Sequence, residues 1–157
     1  DPLVASWALF SSAFPDDPDL LERFALPRTT HRAAAEVRRA RLALACLAPD
    51  APPSQITRAL MPFCTEAVLA AALVGTPADQ DRAWHYLTLW RHAQPAADGN
   101  FLRGLGLKPS PLFGKLLSRL RDALLDGEVS SLEAQQALLK AWANEAQDGT
   151  KPHEHTT

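Results

Sequence analysis

Apolar residues recur three and four positions apart along most of the chain, and no five-residue window alternates β-branched and polar residues as a half-buried strand would. In the last such segment Leu132, Leu139, Trp142 and Ala143 fall on one helical face, with Leu138 beside them. The pattern predicts an all-α protein: a compact bundle of about eight helices, as one domain or as two helical subdomains sharing a core. Trp7, Trp84 and Trp90 also sit on apolar stripes, so all four tryptophans are assigned to the core.

Prolines and N-cap residues punctuate this pattern. Asp1-Pro2 opens a helix to about Ala13, and Asp17-Pro18 a short one to about Ala25. Thr29 or Thr30 caps an Ala/Arg-rich helix ending near Ala48. Ser54 starts a short helix that Pro62 ends or kinks, and Thr65 starts the apolar "EAVLAAALVG" segment. Thr76-Pro77 opens a helix through His92 and Ala93, closed by Pro95. A short helix follows over "NFLRGLG", and Ser110-Pro111 begins one that runs to about Asp126 and stops at Gly127. Ser130 to Glu133 forms a capping box for the last helix. The expected organisation is a body-like region over 1–96, a tail-like region over 97–147 and a disordered C-terminal tail over 148–157.

Composition narrows the class without naming a function. Hydrophobic content of 46% and charged content of 22% are those of a soluble globular protein. No apolar run approaches the ~20 residues needed to cross a bilayer, and no secretory segment opens the chain, so a cytoplasmic location is expected. The chain opens at Asp1 without methionine and is read as a trimmed piece or fragment of a longer protein. Cys46 and Cys64 lie within apolar helical patterns and are expected to be buried free thiols rather than a disulfide.

Charge adds more. The net charge of −2 conceals segregation: residues 1–22 carry five acids and no base, and residues 23–41 carry six arginines against Glu36. Residues 103–121 hold Arg103, Lys108, Lys115, Arg119 and Arg121 with no acid, and residues 122–157 hold seven acids against two lysines. Two basic blocks in a faintly acidic protein suggest a local anionic partner such as a phosphate backbone. The first block by itself also reads as a charged solvent face, with Arg32 and Glu36 spaced as a surface ion pair.

The second block coincides with the most constrained stretch, "GNFLRGLGLKPSPLFGKLL", which holds four of the seven glycines. Gly106 stands where a helix stop needs positive φ. Ser110 stands at an N-cap position, so the helix from Pro111 presents backbone N–H groups at its start, where anions bind. Lys108 precedes that start and Lys115 follows within its first turns. On these residues alone a phosphate clamp and a rigid corner remain equally open.

Gly99, Leu102, Leu105-Gly106-Leu107, Pro109, Pro111, Gly114, Leu116-Leu117, Asp126-Gly127-Glu128-Val129 and Glu133 occur in that order. In this order the segment resembles the C-terminal part of bacterial CCA-adding and A-adding tRNA nucleotidyltransferases and related poly(A) polymerases. "RFALPRTTHRAAAEVRRARLAL" and "WHYLTLWRHAQP" are fainter echoes of the family's preceding helices. Ser110 departs from the family's usual glycine, which removes a permissive hinge and adds a hydroxyl.

The resemblance implies the helical body and tail that grip tRNA, with catalysis in an N-terminal head joined in cis. Magnesium and ATP or CTP would belong to that head, so no cofactor is assigned to this chain, which alone is not expected to add nucleotides. The implied partner is tRNA or another structured RNA. Phosphate contacts are assigned to Lys108, Ser110, Lys115 and Arg119, with Arg32 and Arg39, two turns apart, as a second set; Gln135 and Gln136 are taken as neutral surface positions. A helix-hairpin-helix-like module for generic duplex, a protein-interaction or homodimerisation module, and a stand-alone relative without head or tRNA partner remain alternatives.

Other chemistries find little support. Asp79 and Asp81 would share a face on a strand, but they follow Thr76-Pro77 at a helix start, where acids favour the macrodipole. His85 and His92, two turns apart, have no completing Cys or acid for a metal. Asp81 and His85 are spaced as a surface pair. His153 and His155 fall in the polar tail, and no serine has the partners of a nucleophile.

Overall fold

The computed structural model describes residues 28–106 and 110–148, with the side chains of 34–106 and 110–145. Every regular element among them is helical: α1 Arg28–Ala45, α2 Pro53–Leu60, α3 Thr65–Leu73, α4 Pro77–Thr88, a 3₁₀ turn Trp90–His92, α5 Gly99–Gly104, α6 Pro111–Leu125 and α7 Leu132–Asp148. The all-α class is therefore established. The two helices expected before residue 28, Trp7 and the tail beyond 148 lie outside the described residues. None of the described helices alone is long and apolar enough to cross a membrane.

The chain divides into two compact units, Asp1–His92 and Ala93–Thr157. In the first, α1 turns Val37, Ala40 and Leu44 inward, and α3 packs its Ala67, Val68, Ala70 and Ala71 against them. Alanine at most of these positions is what lets two helices pack with little side-chain volume between them. α2 meets α3 at a 112° bend and contributes Ile56 and Leu60. Proline at position 62 removes a backbone donor just past Leu60, which accounts for the break.

Several polar side chains of this unit serve as local staples. Thr76 caps α4 in a capping box: its Oγ1 accepts from the Asp79 N–H at 3.3 Å, and Asp79 Oδ2 accepts from the Thr76 N–H at 3.0 Å. A side chain at Gly75 would disturb this cap, because a Cβ there would stand 2.9 Å from the Asp79 Cβ. Arg82 Nη2 donates to the Ala48 and Pro49 carbonyls at 2.6 and 3.0 Å, closing the turn after α1. Arg91 Nη1 donates to Thr65 Oγ1 at 2.8 Å.

The second unit is built on larger side chains. Leu102 of α5, Leu116 and Leu120 of α6, and Leu139 and Trp142 of α7 form its core. α6 ends as a Schellman motif: the Glu128 N–H donates to the Ala123 carbonyl at 2.9 Å and the Gly127 N–H to the Leu124 carbonyl at 3.2 Å. Gly127 adopts φ 77°, and Val129 beyond it turns back into the core. Gly106, at φ 79°, closes α5 in the manner expected. The Asp98 carboxylate caps α5 by accepting from the Asn100 and Phe101 N–H groups at 2.9 and 3.2 Å.

Some sequence expectations are corrected. The helix opened by Thr76 stops at Thr88 instead of continuing to His92, because a 3₁₀ turn swings Trp90 onto the core and Arg91 toward Thr65. Ser54 is not a cap: α2 begins at Pro53, Pro52 is the N-cap, and Ser54 is buried in the first turn. The cap of α7 is one residue later than Ser130, since Ser131 Oγ accepts from the Ala134 N–H at 3.2 Å. Trp84 is 64% exposed and Leu132 44% exposed, so neither belongs to the core. Cys46 and Cys64 are exposed rather than buried.

Gln135 is the sharpest reversal. It is buried, not superficial, and its Oε1 accepts from the Ala96 and Ala97 N–H groups at 2.8 and 3.2 Å. Those two amides lie in the segment leading into α5, where no helix supplies them a carbonyl. One side chain of α7 thus satisfies two backbone donors that would otherwise be stranded.

Candidate nucleic-acid interface

The predicted phosphate-binding residues are treated differently by the fold. Lys108 lies outside the described residues. Ser110 is the N-cap of α6 in extended backbone, φ −155° and ψ 168°, but its hydroxyl makes no capping hydrogen bond. Its carbonyl instead accepts from the Phe113 N–H at 3.0 Å. Among the described residues the start of α6 therefore has no side-chain cap, and helix N-termini attract anions.

Lys115 and Arg119 are brought together as expected. They stand one turn apart on α6, both are exposed, and no ion pair engages either among the described residues. By helix geometry Lys115 is about 6 Å along the axis from Pro111 and Arg119 about 12 Å. Only the lysine is close enough to share an anion with the helix terminus.

Two residues not foreseen for this site complete it. The Arg119 guanidinium carbon sits over the Trp142 ring, 4.1 Å from its centre, a cation–π contact. Trp142 is buried beneath it, so the arginine rests on a fixed support. Leu112, Leu116 and Glu145 join these three residues around an open cleft of about 350 Å³. The i, i+4 spacing of Lys115 and Arg119 is visible in the sequence. Trp142 and Glu145 carry no such signal, because only the packing of α6 on α7 places them beside residues more than twenty positions earlier.

The first unit carries the second predicted set. Arg39 is exposed on α1; Arg32 is on the same helix, seven residues earlier, with its side chain outside the described set. The expected Arg32–Glu36 ion pair has a competitor, since Glu36 Oε1 accepts from the Cys64 N–H at 2.9 Å and so anchors the start of α3. Neighbouring Arg38 is partly buried, and its Nε and Nη2 have no hydrogen-bond partner among the described residues.

The remaining reactive side chains are committed elsewhere. Asp79 is held by the cap and lies 3.8 Å from Arg82. His85 Nδ1 is 2.7 Å from the Asp81 carbonyl, and its ring stacks on Trp90 at 5.4 Å between centres. Although Cys64 is exposed, desolvation by neighbouring residues, with the Glu36 and Glu66 carboxylates, holds its thiol above its ordinary value, the opposite of an activated nucleophile. Among the described residues no three His, Cys, Asp or Glu side chains gather to hold a metal ion.

Comparison with protein-family models, with curated proteins and with solved structures finds no match.

Proposed function

We propose that this chain is the RNA-gripping helical portion of a tRNA nucleotidyltransferase or related poly(A) polymerase. In this reading it holds tRNA or a similarly structured RNA by its backbone in the cytoplasm. Nucleotide addition, with its magnesium and ATP or CTP, belongs to a head outside these 157 residues. The ordered pattern from Gly99 to Glu133 supports the family assignment. The observation that carries the binding role is the pairing of exposed Lys115 and Arg119 on one face of α6, with the lysine one turn from a helix start at which Ser110 makes no side-chain cap. Cations without local ion pairs next to a helix N-terminus favour phosphate oxygens.

Titration of labelled tRNA at several salt concentrations tests this. Lys115→Ala and Arg119→Ala should each weaken binding and flatten the slope of log affinity against log salt by roughly one unit per lost contact. Ser110→Gly should be nearly neutral, since the hydroxyl makes no cap bond to lose. Gln136→Ala is the control. Unchanged affinity and slope in both cation variants would leave the turn as a corner and nothing more.

One observation favours a second reading, a protein-interaction or homodimer surface. Leu69, Leu73 and Trp84 are exposed together around a shallow groove along α3 and α4 whose only polar lining residue among the described residues is Gln80. A concentration-dependent change in sedimentation that Trp84→Ala abolishes would support it.

A further inference from the structure

Resting on the RNA-binding reading of the second unit, we propose that Arg119 is a stacking platform for one unpaired nucleobase of the RNA, with Lys115 engaging the phosphate beside it. A site that serves the backbone alone needs cations and water. The cleft around Arg119 has a different composition: Leu112 and Leu116 form an apolar wall, Trp142 a floor, and Glu145 adds a carboxylate. A carboxylate in the cleft repels a phosphate that enters it. It accepts an N–H from the edge of a base, as carboxylates do from the cytosine amino group.

Arg119 is suited to the task by its support. Its guanidinium carbon lies over the Trp142 ring, 4.1 Å from the centre, and the residue is exposed. The side away from the indole is thus available to a second flat ligand, and guanidinium planes stack on unpaired RNA bases. Because the buried indole already orders this long side chain, less rotamer freedom remains to be lost on binding. Lys115, one turn nearer the helix start, is placed for the phosphate of the stacked nucleotide. Duplex RNA cannot use such a platform, since its bases stack on one another.

Three consequences follow from the chemistry. The site should prefer an unpaired stretch over a duplex of equal charge, and bases with an amino group over uracil. It should also distinguish the guanidinium plane from its charge.

The test is fluorescence anisotropy of the full chain with labelled oligocytidine, oligouridine and a blunt RNA duplex of matched length. The wild-type chain should bind oligocytidine more tightly than oligouridine or duplex. Arg119→Lys, which keeps the charge and removes the plane, should lose at least about fivefold in affinity for oligocytidine, the scale of one base–side-chain stack. Its duplex affinity should fall by less than its affinity for oligocytidine, because the charge is kept. Glu145→Ala should narrow the cytidine–uridine difference. A circular dichroism melt of each variant separates a lost platform from a lost fold, and the wild-type preference needs no variant. Equal wild-type binding of single strand and duplex overturns the platform, as does an Arg119→Lys variant that binds oligocytidine normally. Both results would leave backbone binding standing. Failure of the wild-type chain to bind any of the RNAs, tRNA included, would overturn both readings.

Discussion

Half of the clustered core of the first unit is alanine, six residues of twelve, whereas the second relies on four leucines and Trp142 among nine. The cations differ in parallel. In the first unit Arg82 and Arg91 are spent on backbone carbonyls and a threonine hydroxyl, and Arg38 is partly buried. In the second, Arg121 Nε likewise donates to the Ala93 carbonyl at 3.1 Å, but Lys115 and Arg119 stay exposed on one face, with only an aromatic ring engaged. The described cations of the two units are therefore engaged differently, although the basic blocks at 23–41 and 103–121 carry equal net charge.

The contrast in cores predicts opposite sensitivities to volume. Leu120, fully buried in the second unit, should cost about 2–5 kcal/mol on truncation to Ala, because the surrounding leucines cannot collapse into the void. Ala71, fully buried in the first, should cost about 1–3 kcal/mol on enlargement to Leu, since the helices it separates have no slack. Guanidinium denaturation midpoints check both. A neutral or stabilising Ala71→Leu would show that the alanine core holds voids, and the comparison would fail.

A smaller effect separates two adjacent glutamines. Gln135→Ala should destabilise by about 1–3 kcal/mol, because the Ala96 and Ala97 N–H groups lose their acceptor. Gln136→Ala should stay within about 0.5 kcal/mol of the wild type. Equal effects would mean that water replaces the glutamine carbonyl without penalty.

The smallest effect is a pH dependence at the start of α5. The Phe101 N–H, followed by those of Asn100, holds the Asp98 carboxyl below the ordinary aspartate range. A folded pKa below the unfolded one means that the cap stabilises fully above about pH 3.9 and is lost as pH falls through the depressed folded value. Asp98→Asn keeps a good cap and has nothing to titrate. The variant's thermal midpoint should therefore converge on or exceed the wild type's as the medium is acidified below about pH 4. Parallel curves for the two proteins would show that Asp98 takes no part in acid destabilisation.

Much of this was legible from local spacing. The all-α class, the Thr76 cap of α4, the Gly127 stop of α6 and the positive φ of Gly106 all follow from residues within one or two turns of one another. Lys115 and Arg119 were legible for the same reason. Trp84 misled because its stripe is apolar, yet α3 and α4 leave that edge uncovered. Gln135 misled because an isolated glutamine in a helix gives no sign that two amides lie within reach.

The sequence by itself determined where helices start and stop and which cations share a face, since caps, prolines and i, i+4 neighbours act over a few residues of one backbone. Only the tertiary structure decided what those side chains meet. Glu36 found the Cys64 amide, Arg82 the end of the first turn, Gln135 the entrance to α5, and Arg119 the face of Trp142. Each of these partnerships spans more than twenty residues, and no local preference encodes it. They form because packed helices bring backbone donors, carbonyls and ring faces within hydrogen-bond or contact distance, where a polar group left unmatched would cost more than any local alternative.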